Sequence, residues 1–130
     1  MTTTSEQRAA YAWFRSVVAP LRLRVVADAE GFPIAPGRYG QVEWHAEGVV
    51  AIYSQTVRML AKLLGIPGIR RHQTGDREFR LLLAVEKGRE NPPLGAVARL
   101  LRVRTRHALS ERQKLVLLHG RRPFAQQGAR

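Results

Sequence analysis

The chain opens on a polar stretch and then places Ala10, Phe14, Val17 and Leu21 at intervals of three or four residues, the spacing that gathers side chains on one helix face. Ahead of them Thr4 and Gln7 stand three apart, as in a reciprocal capping box, and Pro20 closes the element. The period then changes. In LRLRVVA (residues 21–27) aliphatics alternate with Arg22 and Arg24, which predicts a strand with Leu21, Leu23 and Val25 on one side. EGFPIAPGRYG (30–40) reads as a loop because of its glycines and prolines.

QVEWH (41–45) and VVAIY (49–53) flank AEG and predict a hairpin, with Val42 and Trp44 inward and Gln41, Glu43 and His45 outward. SQTVRMLAKLLG predicts a helix capped by Ser54 and stopped by Gly65, its inner face formed by Val57, Leu60, Ala61 and Leu64. A second hairpin follows in IRRHQTGDREFRLLLAV (69–85), turning at Gly75-Asp76. EKGRENPP (86–93) is polar, holds two prolines, and reads as a linker-like loop.

Two helices are expected at the end. In the first, spanning Leu94–His107, Leu94, Val97, Leu101 and Ala108 share one side, and Arg99, Arg102 and Arg106 form a stripe on the other. In the second, Ser110 and Gln113 make a capping box and Gly120 is the stop. The expected fold is α+β: an antiparallel sheet of about five strands, two hairpins plus one N-terminal strand, packed against helices, with two C-terminal helices. One domain over residues 1–130 is expected, with 121–130 as a flexible tail.

Charge changes this picture. The 130 residues include 22 Lys or Arg and 10 Asp or Glu, a net charge of +12. Residues 1–65 hold seven basic and five acidic groups, whereas residues 66–130 hold fifteen and five. From Asn91 onward nine basic residues face one acid, Glu111. Such an imbalance attracts polyanions. Arginine outnumbers lysine nineteen to three, and its planar fork both binds phosphate bidentately and stacks on bases. Codon bias or heat-adapted ion pairing can explain the arginine-to-lysine ratio, but not the missing acids.

Several classes fall away. Without cysteine there is no disulfide framework, zinc ribbon or thiol chemistry. The first residues lack the basic and apolar segments of a secretion signal, and no apolar run reaches the length of a membrane span. A cytoplasmic location is therefore expected, with no cofactor.

An ordinary solvated helix face would set acids four residues from its arginines, and a membrane-surface helix would show a wide apolar face. Neither pattern is present around Arg99, Arg102 and Arg106. Phosphate contact is expected through Arg99, Arg102, Arg104, Arg106, Arg112, Arg121 and Arg122, with Arg70, Arg71 and Arg80 extending the patch. Helix–HALS–helix also has the spacing of a helix-turn-helix, with Glu111 and Arg112 opening the second helix. Among the aromatics, alternation sends Trp44 and Phe79 to the core. Tyr39, beside Arg38 in a glycine-flanked loop, is the candidate to stack a base. PGRYG lacks the Gly-Lys-Ser/Thr ending of a phosphate loop.

Glu43 and His45 share a strand face, and Glu47 joins them only if the strand continues; no histidine spacing supports a metal site there. His72, His107 and His119 are dispersed along basic stretches. Asp76 and Glu78 flank a turn without the convergent acids of a metal-dependent nuclease. A metal-free ribonuclease stays open, because arginine, histidine and tyrosine can stabilise phosphoryl transfer without a cation. RRHQTGDREFRLLLAVE resembles the central hairpin of RelE-like toxins at Arg71, Gly75, Asp76 and the apolar strand that follows, although Glu78 stands where that family has arginine. The resemblance implies messenger-RNA cleavage on the ribosome. The expected function is thus non-enzymatic binding of DNA or RNA. The alternatives are a metal-independent ribonuclease of that toxin type and a module that binds an acidic protein surface.

Overall fold

A computed structural model describes residues 4–106. Helix α1 (Ser5–Val18) begins with the expected capping box: Thr4 Oγ1 accepts from the Gln7 N–H at 3.0 Å, and Gln7 Oε1 accepts from the Thr4 N–H at 2.8 Å. Gln7 also donates to the Glu30 carbonyl at 2.8 Å and so ties the helix to the loop beyond it. Ala10, Phe14 and Val17 are buried as their spacing predicts. Truncating Phe14, which is wholly inaccessible, would cost about 3–5 kcal/mol.

After α1 the expected strand is mostly replaced. A 3-10 turn, Ala19–Leu21, ends in Arg22 in the left-handed conformation, and only Val26–Ala27 form a strand, β1. Conversely, the predicted loop contains strand β2 (Pro33–Pro36), paired to β1 on one side and to β3 (Gln41–Ala46) on the other. Its two prolines stand at its ends, where a missing N–H interrupts the ladder least. Asp28 closes the β1–β2 turn, its carboxylate accepting from the Glu30 and Phe32 N–H groups at 2.9 Å each.

With β4 (Val49–Ser54), β5 (Ile69–Thr74) and β6 (Phe79–Ala84), the described residues form a sheet of six antiparallel strands in the order β1-β2-β3-β4-β6-β5. Both expected hairpins are present. The second turns on Asp76 and Arg77, one residue later than predicted, because the Gly75 N–H donates to the Glu78 carbonyl at 2.8 Å. Cross-strand rows Val42–Ile52–Leu81 and Val50–Leu83 line the face covered by helices. Trp44 lies at the margin of that face, half-buried and stacked on Phe32 with centroids 5.1 Å apart.

Helix α2 (Met59–Leu64) starts five residues after Ser54, which instead ends β4 and is fully buried. The later start rotates the helix. Met59 and Leu63 fill the core, while Val57 and Ala61, expected inside, are exposed. The linker-like stretch is folded: Asn91 accepts from the Glu86 N–H and donates to the Glu86 and Arg89 carbonyls at 3.0–3.1 Å. Helix α3 (Pro92–Leu101) then takes both prolines into its first turn, where their missing N–H groups cost nothing.

Helix α3 does not reach His107. Arg102 is left-handed at φ 53°, the Arg102 N–H returns to Arg99 and the Val103 N–H to Ala98 at 2.9 Å. This is a Schellman end with arginine in the position that favours glycine. Residues 103–106 continue extended, bridged to Leu23 through Thr105 and to Gly37 through Val103. The stripe Arg99–Arg102–Arg106 therefore does not exist as one helix face. The second expected C-terminal helix, the helix-turn-helix reading built on it, and the tail 121–130 lie outside the described residues.

Candidate nucleic-acid interface

The turn between β2 and β3 gathers three guanidinium groups around one ring. Gly37 and Gly40 let it lie against the end of α3: a Cβ on Gly37 would sit 2.7 Å from the Leu101 carbonyl oxygen, and one on Gly40 would sit 2.5 Å from that of Tyr53. The Tyr39 N–H donates to the Leu101 carbonyl at 3.0 Å and the Arg38 N–H to the Arg102 carbonyl at 3.2 Å. Beneath the turn the buried Ser54 hydroxyl donates to the Tyr39 carbonyl and accepts from the Thr56 N–H at 2.9 Å.

This scaffold holds the half-buried Tyr39 ring among three guanidinium groups. Arg58 lies 5.3 Å from its centroid, Arg38 5.4 Å and Arg102 5.8 Å. They come from separate places: the turn itself, the residue before α2 and the end of α3. All three side chains are exposed, and none makes an ion pair among the described residues. Each cation over the ring gains about 0.5–1 kcal/mol, yet no carboxylate among the described residues neutralises the group. An anion with a flat apolar portion, such as a nucleotide, satisfies both the charge and the exposed part of the ring.

Of the residues expected at the interface, the structure brings Tyr39 and Arg102 together. Arg58 was missed, and nothing in the sequence signals it; Arg38 was marked only by adjacency to Tyr39. Arg99 is exposed in a cleft of about 300 Å³ shared with Arg89 and Leu21. Arg106 lines a separate cavity of about 400 Å³ with Arg15 and Leu23. Arg104 is exposed on the extended segment between them. Arg112, Arg121 and Arg122 lie outside the described residues.

Among the described residues no helix packs on the other face of the sheet, which carries a different cluster. Arg80 is not a free phosphate ligand: it is ion-paired to Glu43 at 2.5 Å and lies over the Tyr53 ring at 5.6 Å. Glu43 also accepts from Gln41, and the Tyr53 hydroxyl donates to Glu78 at 3.1 Å. By their pairing, Arg70 lies on this open face opposite Leu82, while Arg71, opposite Leu81, lies on the helix side. His45 touches His72, their ring centroids 5.3 Å apart. Partial burial, with the neighbouring His72 and Arg80, holds the His45 imidazole below its ordinary pKa of 6.5 against the opposing pull of Glu43. Among the described residues no group of three His, Cys, Asp or Glu side chains is placed to hold a metal ion.

No helix among the described residues is long and apolar enough to cross a membrane. No protein-family model, curated protein or solved structure matches the chain.

Proposed function

We propose that this α+β domain binds nucleic acid in the cytoplasm, with Tyr39, Arg38, Arg58 and Arg102 as the centre of the contact. One observation carries the reading: three exposed guanidinium groups from separate segments, without an ion pair among the described residues, surround a single tyrosine ring. Phosphates would take the guanidinium groups, and an unpaired base would stack on the ring. Arg99 and Arg104 flank the centre, and Arg70 and Arg71 on the edge strand β5 extend the charge. The remaining expected contacts are Arg106, Arg112, Arg121 and Arg122. Arg80 is reassigned, because Glu43 already holds it.

An acidic protein surface would use the same charges without needing the ring. Fluorescence anisotropy with a single-stranded oligonucleotide, a duplex and an acidic peptide separates the two. The expected result is tightest binding to the single strand, with log affinity falling by about 0.7 per phosphate contact for each unit of log salt. Three contacts give a slope of about −2. Preference for the acidic peptide, or no oligonucleotide binding at low salt, would overturn the reading.

A further inference from the structure

We propose that three short segments beside the main sheet form an arginine ribbon that leads the backbone of a single-stranded nucleic acid away from Tyr39, in a site of about five nucleotides. This path rests on nucleic-acid binding as read above. It adds the strandedness and length of the ligand, and it brings Arg22 and Arg24 into the contact.

The ribbon follows from the hydrogen bonds that hold residues 102–106. On one side the Arg104 N–H donates to the Pro36 carbonyl at 3.0 Å and the Arg38 N–H to the Arg102 carbonyl at 3.2 Å, around the antiparallel bridge Gly37–Val103. On the other side the Arg24 N–H donates to the Arg104 carbonyl at 2.8 Å and the Arg106 N–H to the Arg22 carbonyl at 2.7 Å, around the bridge Leu23–Thr105. This register sets arginine opposite arginine three times: Arg38 against Arg102, Arg24 against Arg104, and Arg22 against Arg106. Leu23 and Val103 are buried, whereas both members of every pair are exposed. Alternation turns the aliphatic side chains inward and gives Arg24 and Arg104 the outer face.

Like charges directly opposite each other destabilise a sheet, and nothing in the ribbon offsets them. Residues 19–27, 33–42 and 91–106 contain no Asp or Glu. None of the six arginines is ion-paired among the described residues. Solubility alone would be served as well by an acid in one member of each row, which would also stabilise the pairing. Three successive uncompensated rows instead suit a ligand that brings repeated negative charge.

The ribbon also has a direction. The Arg38–Arg102 row belongs to the Tyr39 cluster, and the Arg22–Arg106 row is at the far end. Residues 102–106 cover up to about 13 Å when extended. A strand that rises about 3.4 Å per nucleotide places about four nucleotides along that length, and one more base stacks on the Tyr39 ring. A duplex supplies phosphates but no unpaired base for the ring, so the combination selects a single strand.

The test uses the full chain and fluorescence anisotropy with oligothymidylates and oligouridylates of increasing length, a duplex and an oligoglutamate peptide. In both nucleotide series affinity should rise steeply up to about five nucleotides and little beyond. The double variant Arg24→Gln/Arg104→Gln should bind a strand of about eight nucleotides about tenfold more weakly, with a salt slope shallower by about 1.4. Its affinity for a dinucleotide, which reaches only the Tyr39 end, should stay within about twofold of the parent. It should melt no lower than the parent, because it removes like charges set opposite each other. If it does not fold, the parent's length dependence and its preference for the single strand decide. Length-dependent binding that the folded variant keeps in full overturns the ribbon and leaves the Tyr39 reading standing. Loss of binding in this variant with none in Tyr39→Ala supports the ribbon and removes Tyr39 as the centre. Tighter binding of the duplex or of oligoglutamate than of the single strands overturns the path proposed for the ribbon.

Discussion

Arg22 and Arg102 share one unusual backbone state: both are left-handed, at φ 55° and 53°, and each ends a helical segment. The strands of chain that leave them then pair, the Arg106 N–H donating to the Arg22 carbonyl at 2.7 Å and the Arg24 N–H to the Arg104 carbonyl at 2.8 Å. An L-residue in this conformation costs about 1–2 kcal/mol. At Arg102 that cost accompanies a side chain set beside the Tyr39 ring, so stability and the proposed site pull in opposite directions there.

Arg102→Gly is therefore expected to stabilise the protein by about 0.5–1 kcal/mol, the relief of strain less the entropy of the added glycine. The same change removes one of three cations from the Tyr39 cluster and should weaken oligonucleotide binding while making the salt slope shallower by about 0.7. Thermal melts and a salt titration check both halves. A lower melting temperature would mean that the side chain secures the end of α3.

Tyr39→Phe keeps the ring and should leave single-strand affinity within twofold. Tyr39→Ala removes the stacking surface and should cost about 1–3 kcal/mol of binding. Equal loss in both variants, measured by anisotropy at one salt concentration, would assign the role to the hydroxyl rather than the ring.

The elements that were legible in the sequence are those whose signal is local. Thr4 and Gln7 announce α1 because a capping box needs only three residues, and the alternation around Val42 and Val50 sets the first hairpin. Strand β2 was hidden because Pro33 and Pro36 punctuate it; only its pairing with β1 and β3 overrides their local preference. The end of α3 was hidden for the opposite reason. Arginine is a good helix former, and nothing before Arg102 marks it as left-handed until residues 103–106 are seen paired to residues 22–24 and 36–37. The candidate site was half legible. Tyr39 and Arg102 could be singled out by type, but the cluster is made by tertiary packing, which alone brings Arg58 to the ring.

Ser54 connects the sheet to that cluster. It is completely buried, and its hydroxyl serves both the Tyr39 carbonyl and the Thr56 N–H. Ser54→Ala leaves those two groups without this partner, so a loss of about 1–3 kcal/mol is expected in denaturant unfolding. Gly37→Ala should be at least as damaging, because the new Cβ would meet backbone atoms of Leu101 and Val103 at 2.7–2.9 Å, which cannot swing aside. A Ser54→Ala variant as stable as the parent would show that water replaces the hydroxyl.

The His45–His72 contact makes stability depend on pH in a direction the geometry sets. Burial, His72 and Arg80 all disfavour the charged form of His45, and Glu43 only partly offsets them. Its folded pKa therefore lies below the ordinary 6.5, and the unfolded chain binds the proton more readily. Stability is then fully present above that ordinary value and is lost as the pH falls through it toward the folded value. Melting temperatures of the parent and His45→Gln, measured at pH 8 and pH 5.5, isolate the contribution. The parent should lose more stability than the variant between the two conditions, because glutamine has no proton to gain. His72→Gln should also shrink the difference, since it removes one of the positive neighbours that depress His45. If parent and His45→Gln melt in parallel across the range, His45 titrates alike in both states, and the contact with His72 leaves its proton affinity unchanged.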